Sequence, residues 1–294
     1  MKINGQMSDA TIAANNAIDT LHKDIDEHWN STGYTKSIVA IIDIMGIKEL
    51  FLGSSSDFTT HSLIYKSWDK ILKTQMLKEY QADLSEKYGE FNLKSTLLSD
   101  SIVLSMDVNT PNAFSKMFMM IGLFCHSLFL LSTPYFTRGA IVIGDIYHEN
   151  NIVFGPALVK AHLLESNKAV NFRYIIDKDD FLKASVYMED DFKSILEAFF
   201  YQDDEFYCLD YLYRFLYYAE NRVQRNQDTP TIYTNALNRL FSKIKYEIEN
   251  NETQRVIDKY RWMKSYFHKT ITKTLEESDG DDFVWLREAL KKKH

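Results

Sequence analysis

The stretch Ser37-Ile-Val-Ala-Ile-Ile-Asp43-Ile-Met-Gly46 constrains the fold more than any other part of the chain. Its β-branched, nearly unbroken apolar run lacks both the 3.6-residue period of a surface helix and the strict alternation of a half-exposed strand. It therefore predicts a strand covered on both faces. A carboxylate at the end of such a run is costly to bury unless something positive meets it. Gly46 then frees the chain to turn, with helical segments expected through Lys48 to Phe51 and from about His61 to Tyr80.

Leu93 to Leu98 and Ser101 to Ser105 read as two strands joined near Ser99-Asp100, a spacing that favours an antiparallel hairpin with Asp100 at its tip. A buried helix is expected over 112–132. β-character resumes at Phe136 to Gly144 and again at Tyr147 to Phe154, around the turn Glu149-Asn150-Asn151. Pro156 suits the first turn of a helix running to Ser166, and Phe172 to Ile176 forms a closing strand. The resulting order, β-α-β-β-α-β-β-α-β, is that of an α/β (α+β) sandwich with a mixed sheet. An amphipathic helix is expected over 9–28. From about Asp190 the segments take helical length, with Asp228-Thr229-Pro230 as a helix start and Leu237, Leu240, Ile244 and Ile248 as one apolar stripe.

Composition narrows the function. With 45% hydrophobic and 26% charged residues in 294, the chain belongs among globular proteins. A formal charge of −7 argues against a general nucleic-acid binder, whose affinity comes from clustered Lys and Arg. Cys125 and Cys208 lie in apolar surroundings and point to a reducing cytosol rather than a disulfide framework. The N-terminus has no basic region followed by an apolar one, and the apolar run Met117–Leu131 is short of a membrane span and broken by Gly122, His126 and Ser127. A cytoplasmic protein without membrane insertion is the expectation.

Strand, Asp43, Gly46 and helix together can form a cradle for a metal ion and a triphosphate, with the first amides of the helix facing the anion. Asp43 as a simple helix cap remains open. Asp100 would bring a second hard oxygen donor to the same strand end, which suits Mg2+ or Mn2+; a plain turn aspartate is the other reading. Arg138, heading the next apolar strand with Gly139, would supply a cation able to hold phosphate oxygens, or would pair at the surface with Asp145 or Glu149. Lys48 is kept as a candidate phosphate contact. His148 and His162 form no His-x-x-x-His pair, so zinc has no support. Walker A, Gly-x-Gly-x-x-Gly and Gly-x-Ser-x-Gly sequences are absent.

These motifs resemble a known family. Ile41-Ile-Asp43-Ile-Met-Gly46-Ile is similar to the first metal-binding strand of class III nucleotide cyclases, and Leu98-Ser-Asp100-Ser to the hairpin carrying their second metal aspartate. Thr137-Arg138-Gly139-Ala-Ile-Val-Ile-Gly144 and Gly155-Pro-Ala-Leu-Val-Lys-Ala161-His-Leu-Leu-Glu165 resemble the strand and helix that follow. More narrowly, the set resembles the bacterial Pycsar pyrimidine cyclases of antiphage defence. The resemblance implies a ferredoxin-type mixed sheet, a homodimer, and two divalent cations held by Asp43, the backbone of Ile44 and Asp100. It implies conversion of UTP or CTP to cUMP or cCMP plus pyrophosphate, read by a separate cyclic-nucleotide-gated effector.

On this basis the chain divides into an N-terminal helix (1–33), a cyclase-like domain (34–188) and a helical C-terminal extension (189–294). One departure matters. Where class III enzymes carry an Asn and an Arg for the transition state, this helix has Val159 and Leu163, so the charge-stabilising role falls to Arg138 as a hypothesis. A purine cyclase, a noncatalytic nucleotide-binding module and a palm-type polymerase are the competing readings.

Overall fold

The computed structural model describes residues 33–46, 92–98, 101–186, 199–203 and 205–291, together with Thr20 and Ser62. The helix expected in the first 33 residues falls, Thr20 apart, outside the described residues, as do the segments expected to be helical between Lys48 and Tyr80 except for Ser62. Met1–Thr35 form one unit by their contacts and Lys36–His294 another.

β1 (Thr35–Ile44) has neighbours on both sides in a mixed sheet that also contains β2 (Lys94–Leu98), β3 (Ser101–Asp107), β4 (Thr137–Glu149), β6 (Tyr174–Asp177), β7 (Phe200–Asp203) and β8 (Phe206–Leu209). The strand order is β2-β3-β1-β4-β6-β8-β7, and β5 (Ile152–Phe154) hangs on β4. β1 runs antiparallel to β3 from Ser37↔Asp107 to Asp43↔Ser101. β4 and β6 are parallel, as a crossover through helix α2 (Pro156–Lys168) requires, and helix α3 (Lys178–Val186) follows β6.

The pleat explains why β1 is apolar throughout. Ile38, Ala40, Ile42 and Ile44 enter the large core with helix α1 (Ala113–Leu130), whereas Val39 and Ile41 face a second core with Ala157 and Ala161 of α2. The sheet is therefore covered by helices on both faces, as the α+β sandwich expectation demands. α1 is long and apolar enough to cross a membrane, with mean hydropathy 1.6, but 83% of it is buried inside the protein. It packs against β3, α4 (Tyr211–Gln224) and α5 (Pro230–Asn250) as a core helix.

Two sequence expectations need adjustment. The two strands expected between 136 and 154 are one long β4 and a short β5, because Asn150 and Asn151 both adopt left-handed φ (49° and 69°) and make a tight two-residue hairpin. The segment after residue 189 is not wholly helical: β7 and β8 form a hairpin that extends the sheet beside β6. Its signal was present in Phe206, Tyr207, Cys208 and Leu209, whose side chains alternate between two cores. The helices α4, α5, α6 (Gln254–Glu276) and α7 (Val284–Lys291) share the α1 core. Arg239 donates to the carbonyls of Leu130 and Leu131, and Lys243 to that of Pro134, so α5 satisfies acceptors at the end of α1.

Close packing of the sheet depends on Gly139. A Cβ there would stand 2.2 Å from the Ile41 carbonyl oxygen and 2.7 Å from Cδ1 of Tyr174, on the two strands flanking β4. Gly139→Ala should accordingly destabilise the protein by about 1–3 kcal/mol. Thermal unfolding would show it as a Tm several degrees lower.

Candidate functional site

Asp43 lies near the C-terminal end of β1, and its parity in the strand matches Val39 and Ile41, which turns it toward the α2 side of the sheet. Ile44 ends the strand, the Met45 amide donates to the Phe136 carbonyl at 2.9 Å, and Gly46 turns the chain at φ +84°. That left-handed turn is the feature the sequence assigned to glycine. Lys48 and the amides expected to face an anion fall outside the described residues.

The hairpin of β2 and β3 opens at the same end. Leu98 pairs with Ser101, and Ser101 pairs with Asp43 across to β1. Asp100 itself lies outside the described residues, but the strand positions flanking it bracket the end of β1.

Arg138, the second residue of β4, completes the cluster. Its Nε donates to Asp43 Oδ2 at 2.8 Å, one terminal nitrogen donates to the Ala169 carbonyl at 3.0 Å, and the other stands 2.7 Å from Glu165 Oε1. The last contact is a close ion pair rather than an aligned hydrogen bond. All three guanidinium nitrogens are thus engaged. The surface partners expected for Arg138, Asp145 and Glu149, are not the ones it takes; Glu149 pairs with Lys94 at 2.5 Å instead. Glu165 was missed as a site residue, although it follows Ala157 and Ala161 at four-residue spacing on the buried stripe of α2.

The helix is held where this contact is possible. Gly144 lets Ala157 approach the strand, a Cβ at Gly144 falling 3.2 Å from that of Ala157. Beyond the Ile141↔Ile176 pair of β4 and β6, the buried Asp180 accepts the Ile143 amide at 2.9 Å and Lys160 of α2 at 2.8 Å. Arg138, Asp43 and Glu165 retain only 17%, 15% and 6% side-chain exposure. Burial pushes the Glu165 carboxyl above the ordinary glutamate range; the Arg138 guanidinium opposes that and the Asp43 charge adds to it.

Two carboxylates against one guanidinium leave a single negative charge in excess. The described donors of the expected metal set, the Asp43 carboxylate and the Ile44 carbonyl, are hard oxygens and so suit Mg2+ or Mn2+. Among the described residues, no three metal-ligating side chains gather at one point. Arg138 reaches only one oxygen of Asp43. Val159 and Leu163 of α2 are 59% and 54% exposed.

His148 serves the frame. Its ring is buried between Thr96 Oγ1 (2.9 Å from Nε2) and Ser105 Oγ (2.7 Å from Nδ1), joining the far end of β4 to β2 and β3. Burial first, then the Lys94 charge, push its pKa down to about 4, with Glu149 opposing.

Two outcomes follow. Arg138→Met leaves two carboxylates facing each other without a cation and should cost about 2 kcal/mol, less than for a fully buried pair because some exposure remains; urea unfolding at neutral pH measures it. His148 is neutral when folded and ordinary, near 6.5, when unfolded, so its contribution is present above pH 6.5 and is lost as pH falls toward 4. Between pH 7 and 5 the wild type should lose about 2 kcal/mol on this account, and His148→Gln correspondingly less. No protein-family model matches the chain, and no curated protein matches its sequence.

Proposed function

We propose that the chain is a class III-type nucleotide cyclase acting on a pyrimidine triphosphate, UTP or CTP, to give cUMP or cCMP and pyrophosphate. The observation that carries this reading is the convergence at one sheet end: Asp43, next to last in β1, pairs with Ser101, beside the mouth of the hairpin to which the sequence reading assigns Asp100, with Arg138 at 2.8 Å. The Asp-Ile-Met-Gly turn, Ser101 and the Arg-Gly pair, far apart in sequence, come from the neighbouring strands β1, β3 and β4.

Asp43, the Ile44 carbonyl and Asp100 would hold two divalent ions. When bound, such ions supply the Lewis acidity that activates the ribose 3′-hydroxyl and neutralises the departing pyrophosphate. The chain's own contribution is positional. β1 and the hairpin aim the carboxylates, the Gly46 turn opens the backbone beside them, and Arg138 fixes the rotamer of Asp43. Arg138 therefore acts through Asp43 as a positioning residue, because its three nitrogens are already engaged. The charge-stabilising role expected from sequence would require one of these nitrogens to leave its present partner. The cyclase is read as a homodimer, with groups from a second copy completing the site and a separate effector reading the product.

A noncatalytic nucleotide-binding module is the second reading. It is favoured by Val159 and Leu163, which offer no polar group to a transition state.

The deciding experiment incubates purified protein with Mn2+ and each of ATP, GTP, CTP and UTP, with products identified by mass spectrometry. A cyclic pyrimidine monophosphate that disappears in Asp43→Asn is the expected result. A cyclic purine product would transfer the assignment to a purine cyclase. No product from any triphosphate, with metal-dependent nucleotide binding intact, would favour the binding module.

A further inference from the structure

An unconstrained arginine beside an aspartate closes a side-on fork, Nε and one terminal nitrogen each taking a carboxylate oxygen. At this site the fork is split. Nε donates to Asp43 Oδ2 at 2.8 Å, while a terminal nitrogen lies 2.7 Å from Glu165 Oε1, and the third nitrogen is tied to the Ala169 carbonyl at 3.0 Å. Arg138 consequently covers one oxygen of Asp43 instead of two.

Glu165 is well placed to enforce this. It is 5% exposed, it sits on the buried stripe of α2 with Ala157 and Ala161, and its other oxygen accepts from Ser166 at 3.0 Å. α2 in turn is fastened by Lys160 to Asp177 and to the buried Asp180. The carboxylate is therefore presented from a fixed helix, not from a mobile surface chain. Its charge also matters: with Glu165 the cluster holds one negative charge in excess, and without it Asp43 and Arg138 neutralise each other.

From this geometry we infer that Glu165 is a positioning residue that keeps the Asp43 site open to divalent cations by holding part of the Arg138 guanidinium away from Asp43. The inference rests on the reading of Asp43 as a metal ligand. Loss of the Glu165 charge has two consequences in the same direction. The released nitrogen completes the fork on Asp43, and the site loses the net negative charge that attracts a cation.

The test is binding of Mn2+ alone to the full chain, followed by electron paramagnetic resonance of the free ion, with a Tm for each variant. Wild type should bind and Asp43→Asn should not. Glu165→Gln, similar in shape, should weaken binding at least tenfold. Removing the competitor as well, in Arg138→Gln/Glu165→Gln, should restore most of the lost affinity, an outcome that a merely structural role for Glu165 would not produce. Equal binding by wild type and Glu165→Gln, or no recovery in the double variant, overturns the inference while leaving the metal reading standing. Failure of the wild type itself to bind overturns both. Should Glu165→Gln not fold, Arg138→Gln alone decides: tighter Mn2+ binding than wild type supports the inference, and unchanged or weaker binding overturns it.

Discussion

Arg138 joins three elements that no other single side chain in the described structure is seen to join at this end of the sheet. It comes from β4, meets Asp43 on β1, and reaches Glu165 and the Ala169 carbonyl at the end of α2. The described parts of the candidate site meet at that contact. A buried ion pair is poor evidence of net stability, since desolvation of the charges offsets much of their attraction, but it specifies geometry strongly because a misplaced charge is expensive. Here it sets which way Asp43 points and how close α2 lies to the sheet.

The frame around the cluster is built from weaker and more numerous interactions. Gly139 and Gly144 remove side chains where β4 must approach its neighbours and α2. Asp180 caps the Ile143 amide where pairing with β6 has ended, and at the opposite end of β4 the neutral His148 ring bridges hydroxyls from β2 and β3. Polar groups buried this way are costly when left unpaired, so each satisfied one excludes alternative registers of the strand. The C-terminal helices add the apolar mass behind the sheet. Phe129, Phe136, Tyr211, Phe215 and Phe267 interlock at ring-centroid separations of 5.5 to 6.3 Å, which binds α1, α4 and α6 into one core.

The same cluster illustrates a tension between holding a site and leaving it usable. On the proposed metal reading, an arginine that covered both oxygens of Asp43 would leave neither of them to a cation. One that covered neither would leave a buried carboxylate without compensation. Dividing the guanidinium between Asp43 and Glu165 satisfies the arginine and leaves the aspartate partly available.

Much of the fold was legible because its signals are local. The two-faced apolar run of β1, the Leu98/Ser101 hairpin, Pro156 at the first turn of α2 and the long apolar α1 each follow from periodicity, turn chemistry or proline geometry within a short window. The strands β7 and β8 were less legible, since short aromatic segments beside long helices fit either state until a neighbouring edge, here β6, accepts their hydrogen bonds. The site divides in the same way. The sequence alone determined that an acid ends a buried strand and requires a positive partner. Tertiary structure decided that the partner is Arg138, 95 residues away, and that Glu165 shares it, because only the packing of α2 against β4 brings that carboxylate within reach.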